Sequence, residues 1–169
     1  MAEPDPITLP LPDPRATERV GAALARALRP GDSVLLQGPL GAGKTALARA
    51  VIAARLGAAA GDIPSPTYTL TQVYDDGAAE IWHADLYRLT DPAQVWELGL
   101  TEAFDEAICL VEWPERLGPL APRRALRAAL DFDAGAGDAG ERGAGEGRTL
   151  TLTPLGGGWE AALDAARSA

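Results

Sequence analysis

At 169 residues, with 47% hydrophobic residues and a net charge of −9, the chain has the size of one domain with a real core, and its acidity suits it poorly to gripping a nucleic-acid backbone by itself. Its single cysteine, Cys109, excludes an internal disulfide and fits a reducing cytoplasm, and a single histidine, His83, beside it argues against a zinc site. No apolar run reaches the length of a bilayer span, and Met1-Ala2-Glu3-Pro4-Asp5 is acidic, without signal-peptide character.

The opening is proline-rich and reads as extended through Pro12. Asp13 then has the position of an N-cap, with Pro14 at the first helical residue. Ala16, Val20, Leu24 and Leu28 recur every four residues and define one apolar helix stripe, which Pro30-Gly31 ends. Asp32 to Gln37 reads as a short buried strand. It enters Gly38-Pro39-Leu40-Gly41-Ala42-Gly43-Lys44-Thr45, the pattern G-x-x-x-x-G-K-[ST] of a phosphate-binding loop. Thr45 to Leu56 reads as a helix stopped by Gly57.

Strand, glycine loop and helix are the context that the octet needs. The backbone amides from Leu40 to Ala46 would cradle phosphates, and the helix N-terminus adds its dipole. Lys44 is the chain's only lysine; every other basic residue is arginine. A compact ammonium on a flexible stem suits this place better than a planar guanidinium. The Thr45 hydroxyl is available for Mg2+. The bland alternative is a glycine-rich turn with a chance lysine.

Thr67 to Tyr74 is rich in threonine and tyrosine and reads as a strand. Asp75-Asp76-Gly77 is a turn, and Ala79 to Asp85 a second strand, so the two form a hairpin. Asp91-Pro92-Ala93-Gln94 starts a helix with a capping-box pattern. Ala107 to Glu112 is a buried strand ending in a carboxylate. Arg127 to Phe132 and Thr149 to Thr153 are two more strands. Between them, residues 133–148 are mostly glycine, alanine and acidic residues and are expected to be mobile. A helix around Trp159 to Arg167 closes the chain, and there is no internal repeat. The expected architecture is a single α/β domain over residues 1–169. It has the three-layer fold of a P-loop NTPase: a central, mostly parallel sheet, helices on both faces and an antiparallel hairpin.

A phosphate loop needs an acidic residue near Mg2+, usually at a neighbouring strand end. Glu112 ends the apolar run Ile108-Cys109-Leu110-Val111, and Asp85 ends Ile81-Trp82-His83-Ala84. In a parallel sheet both emerge at the carboxyl edge, where ligands bind. The alternative for each is a solvated strand-end carboxylate. His83 shares a face with Asp85 by strand alternation. It reads as a buried, hydrogen-bonded histidine in preference to a catalytic one. Cys109, Trp82, Trp96 and Trp159 read as packing residues, and Trp113 as shaping the mouth of the site.

Gly41-Ala42-Gly43-Lys44-Thr45, Ser65-Pro66-Thr67-Tyr68-Thr69-Leu70, His83-Ala84-Asp85-Leu86-Tyr87-Arg88-Leu89 and Val111-Glu112-Trp113-Pro114 occur in that order. The set resembles the TsaE (YjeE) family, bacterial ATPases needed for threonylcarbamoyladenosine formation in tRNA, across nearly the whole chain. The resemblance implies ATP and Mg2+ as ligands, with Thr45 and Glu112 holding the metal and Asp85 needed for hydrolysis. It implies that the segment around Thr67 is a switch beside the γ-phosphate. It places Pro14 and Thr17 on the adenine side, and Arg148 near the nucleotide, although an unusually long insertion precedes Arg148 here. It also implies two cytoplasmic partners, TsaD and TsaB. TsaD transfers threonylcarbamoyl onto the adenosine beside the anticodon of tRNAs reading codons that begin with A. The RNA is then reached only through the complex, in keeping with the acidic charge, and no membrane is involved. Two rival readings share the phosphate loop. One is a small-molecule kinase with Arg123, Arg124 and Arg127 as a lid, against a solvated basic turn. The other is a nucleotide-dependent interaction switch without useful hydrolysis.

Overall fold

The computed structural model describes residues 4–133 and 147–169. The stretch expected to be mobile therefore lies, apart from its ends, outside the described residues. Seven strands form one sheet in the order β1-β7-β6-β2-β5-β4-β3. They are β1 (Ile7–Leu11), β2 (Ser33–Gln37), β3 (Thr71–Asp75), β4 (Glu80–Asp85), β5 (Ile108–Glu112), β6 (Ala125–Phe132) and β7 (Arg148–Leu155). The helices are α1 (Pro14–Ala27), α2 (Lys44–Leu56), α3 (Ala93–Glu97), α4 (Leu100–Glu106) and α5 (Glu160–Arg167).

The centre, β6-β2-β5-β4, is parallel. The expected hairpin β3–β4 flanks it on one side. On the other side lies an antiparallel flank: β6 pairs β7, and β7 pairs β1. The proline-rich opening is thus a strand. It sits at the sheet edge, where Pro10 is tolerated because one side of the backbone needs no ladder partner.

Alternation along the central strands sends side chains into two cores. Val34, Leu36, Ile108 and Leu110 pack with α1, α2 and α5, whereas Leu35, Cys109, Val111 and Ala84 pack with α3 and α4. The α1 stripe is buried as its spacing predicts, and Asp13 caps the helix by accepting from Ala16 N–H at 2.8 Å. Gly21 allows α1 to cross α2 closely, since a Cβ there would collide with Ala50. The capping box also forms: Asp91 Oδ1 accepts from Ala93 N–H, and Gln94 Oε1 reaches back to Asp91 N–H. No helix among the described residues is long and apolar enough to cross a membrane.

Two expectations need correction. The strand expected from Thr67 begins at Thr71, because Pro66 to Leu70 forms a turn in which Leu70 N–H donates to Pro66 O at 2.7 Å. Leu70 ends it in the left-handed region at φ 66°. Prolines at 64 and 66 remove ladder donors, and the local turn outweighs threonine and tyrosine propensity. Trp96, expected to pack, is 58% exposed, whereas Trp159 is buried beneath the Arg124 guanidinium.

Arg124 has a structural task. It pairs with Asp32, and its guanidinium donates to the carbonyls of Gly157 and Gly158. Asp32 immediately precedes β2, and Arg123 and Arg124 immediately precede the parallel strand β6. The basic cluster therefore occupies the amino ends of the parallel strands, opposite the loop that follows β2.

Candidate nucleotide and metal site

The loop between β2 and α2 is shaped by glycines with positive φ at 38, 41 and 43. At Gly38 (φ 143°) a Cβ would collide with the Leu130 carbonyl of β6, so only glycine lets the loop leave the sheet there. At Gly43 (φ 105°) a Cβ would meet nothing within 4 Å and would project into the open cradle. Gly43 caps α2 without a side-chain bond, which leaves the amides of the first turn for an anion. Ala42 is fully buried and Leu40 is exposed.

Lys44 is buried. Its ammonium donates to Gly38 O at 2.7 Å and Pro39 O at 2.9 Å and lies 4.2 Å from the Trp113 ring centre. Burial lowers its pKa, and Glu112, Asp85 and Glu115 act against that shift. Trp113, in the left-handed region at φ 57°, packs in turn against Tyr87, the rings tilted by 50° with centres 4.9 Å apart. Trp113, expected at the mouth of the site, lies over the lysine.

The two carboxylates meet at the carboxyl edge. Asp85 and Glu112 are register partners at the ends of β4 and β5, and both are buried. The Thr45 hydroxyl donates to Glu112 Oε1 at 2.6 Å, bridging the first turn of α2 to the end of β5. Asp85 Oδ1 accepts from Tyr87 N–H at 3.0 Å, and its own N–H donates to Leu70 O at 2.9 Å. Burial raises the Asp85 pKa and the nearby Glu112 charge adds to this, against the Tyr87 bond, His83 and Lys44. His83 is buried, as expected, with Nε2 3.0 Å from Glu112 Oε2.

The donor set fits a hard cation. Thr45 and Glu112 offer oxygen only, beside the Asp85 carboxylate. No group of three or more His, Cys, Asp or Glu among the described residues forms an all-protein cage. Mg2+ keeps several waters and takes one or two protein oxygens beside phosphate, so this pair suits it.

A cavity of about 950 Å3 adjoins the loop, lined by Pro14, Thr17, Gly41, Gly43, Ala46 and Arg148 among others. It has the volume for a nucleoside. Arg148 stacks on Phe132 at 4.4 Å and donates to Gly41 O at 3.4 Å, so the start of β7 reaches the loop. Thr67 does not line this cavity; its hydroxyl shares a hydrogen bond with Ser65 at 2.8 Å. Its segment joins the site through Leu70 O and Asp85 N–H, a link that no local sequence pattern shows.

The model of the threonylcarbamoyl adenosine biosynthesis protein TsaE family matches residues 11–141. A tRNA threonylcarbamoyladenosine biosynthesis protein TsaE from Rickettsia felis is 43% identical over 99 residues, 59% of this chain and 57% of that protein, so the match spans little more than half of that relative. The protein of the same name from Bacillus subtilis is 32% identical over 149 residues, 88% of this chain and 85% of the relative. Among solved structures, Bacillus subtilis YdiB matches with a TM-score of 0.73 at 26% identity, covering 99% of this chain and 98% of that one.

Proposed function

The chain belongs to the threonylcarbamoyl adenosine biosynthesis protein TsaE family, and on that premise we propose that it is a Mg2+-dependent ATPase of the cytoplasm serving N6-threonylcarbamoyladenosine formation in tRNA. It acts on the TsaD–TsaB transferase pair, and tRNA is reached through that pair. The observation that carries the hydrolase reading is the Thr45–Glu112 bond at 2.6 Å. It joins a metal-competent hydroxyl on the loop helix to a carboxylate beside Asp85.

ATP places its phosphates in the loop and its nucleoside in the cavity bounded by Pro14 and Thr17. The loop amides and Lys44 bind the β- and γ-phosphates, the ammonium exchanging the carbonyls of Gly38 and Pro39 for phosphate oxygens. Thr45 and Glu112 hold Mg2+, which when bound neutralises charge on the phosphate oxygens. Asp85 orients the attacking water. The Tyr87 N–H fixes its carboxylate, and a raised pKa makes it a better proton acceptor than a solvated aspartate. Water oxygen bonds to the γ-phosphorus as the bond to the ADP oxygen breaks, giving ADP and inorganic phosphate. Arg148, stacked on Phe132 and bonded to the loop, closes the nucleotide side.

A kinase lid built from Arg123 and Arg124 is disfavoured, because both lie at the opposite end of the strands. A switch role is favoured by the Leu70–Asp85 bond, through which the segment containing Thr67 senses the site. The deciding experiment is reconstitution with TsaD, TsaB and tRNA, scoring modified adenosine with and without this chain, beside ATP hydrolysis with and without Mg2+. Loss of modification without the chain and Mg2+-dependent release of phosphate are expected. A phosphorylated small-molecule acceptor in place of inorganic phosphate would overturn the reading.

A further inference from the structure

His83 is the only histidine, it is fully buried, and nothing in the hydrolytic scheme above uses it. It lies on β4 two residues before Asp85, opposite Leu110, so its side chain leaves the sheet on the same face as Glu112. Glu112 is held by both oxygens: Oε1 accepts from Thr45 at 2.6 Å, and Oε2 is 3.0 Å from His83 Nε2. A carboxylate can only accept, so hydrogen bonding assigns the proton to Nε2. Nδ1 has no hydrogen-bond partner and is buried.

A buried polar atom without a partner has a cost. Filling the position with leucine would avoid it, so packing alone does not account for an imidazole here. The feature that leucine lacks is the N–H aimed at Oε2. Without it, Glu112 could turn about its side-chain torsions, and Oε1 would no longer be directed at Thr45.

We propose that His83 is a positioning residue for the metal-binding carboxylate. Its Nε2–H occupies Glu112 Oε2 and thereby keeps Oε1 directed at Thr45, the pair that would hold the divalent cation. This rests on the reading of Thr45 and Glu112 as the Mg2+ pair. Partners that orient a ligating side chain in this way typically change metal affinity by roughly 10–100-fold when removed.

The test is the Mg2+ dependence of binding of a non-hydrolysable ATP analogue, followed by calorimetry at fixed pH. His83→Leu is expected to raise the Mg2+ concentration for half-maximal binding by roughly tenfold or more, with binding in EDTA unchanged. His83→Gln can place an N–H near the position of Nε2 and should restore most of the loss, whereas the shorter His83→Asn cannot reach and should not. The Gln–Asn comparison also serves if His83→Leu fails to fold. Loss of thermal stability with unchanged Mg2+ dependence in His83→Leu, or equal behaviour of Gln and Asn, would overturn the proposal. Glu112→Gln separates the two layers. If it too leaves the Mg2+ dependence unchanged, the metal-pair reading fails. If it weakens Mg2+-dependent binding while the His83 variants do not, only the positioning role fails.

Discussion

The Thr45 hydroxyl and the Glu112 carboxylate stand 2.6 Å apart although 67 positions separate them in the chain. One belongs to the first turn of α2 and the other to the end of β5. Parallel pairing of β2 with β5 puts Leu36 opposite Glu112, so the strand that feeds the loop and the strand that supplies the carboxylate end at the same level. Both members of the pair are thus anchored to the two strands at the centre of the sheet.

Lys44→Ala removes the charge over the phosphates while leaving the loop's glycines in place. Hydrolysis is expected to fall about 100-fold or more, with the far-ultraviolet spectrum unchanged. Hydrolysis at the unaltered rate would locate the site elsewhere.

Glu112→Gln and Asp85→Asn should separate binding from chemistry. The first weakens the Mg2+-dependent part of nucleotide binding; the second spares binding and slows single-turnover hydrolysis by about 100-fold or more. Asp85→Asn should also raise the melting temperature at neutral pH. Burial lifts the folded-state pKa of Asp85 above its unfolded value, so its contribution to stability is greatest below the unfolded pKa and is lost as pH rises through the folded one. Asn retains an acceptor for Tyr87 N–H without the charge. A lower melting temperature at neutral pH would contradict this.

Asp76 should carry the opposite pH signature. The N–H of Ala78 and that of Ala79, with Arg55 at 2.6 Å, hold its carboxyl below the usual range against a burial effect. Its contribution is therefore present above the unfolded pKa and lost as pH falls through the folded one. Arg55 also donates to Ala25 O and Leu28 O, so the pair ties the β3–β4 turn to the end of α1. Asp76→Ala should cost about 1–3 kcal/mol at neutral pH and less in acid, measured by urea unfolding across pH.

Cys109 lies in the central strand β5 with no exposure, and burial pushes its thiol up to about 12. Alkylation of the native protein near pH 8 should be roughly a thousandfold or more slower than in denaturant. A Mg2+–nucleotide complex should slow it further by stabilising the fold. Fast native labelling would show that the sheet opens locally at β5.

Affinity for the TsaD–TsaB pair should differ between the ATP and ADP states, because the Leu70–Asp85 bond ties the segment from Ser65 to the site. Calorimetry with ADP and with a non-hydrolysable ATP analogue reads this directly. Equal affinities would remove the switch role, and tight binding of tRNA by the chain alone would overturn the inference from its charge.

The loop, its strand and its helix were legible because their signals are local: glycines that need positive φ, a lysine after them, and an apolar run before. The α1 stripe, the Asp13 cap and the Asp91–Gln94 capping box were legible for the same reason, each resting on residues within one or two turns. Between Pro66 and Leu70 two local signals compete, and the less visible one prevails. Threonine and tyrosine propensity at Thr67 to Tyr74 gave way to a proline-directed turn ending at Leu70. The exposure of Trp96 was hidden too, because α3 is a five-residue helix with little apolar pattern to orient it.

Sequence alone thus determined the glycine loop between its strand and helix and the carboxylates at two strand ends, since each depends on contiguous residues. Only the tertiary structure decided that β1 pairs with β7 across the chain, with Ile7 opposite Leu152. It alone set Arg124 at the far end of the sheet from the loop. It alone brought His83 to Glu112 and Leu70 to Asp85. These relationships depend on strand order and register, which are set by summed burial across both faces of the sheet and leave no mark on any short stretch of sequence.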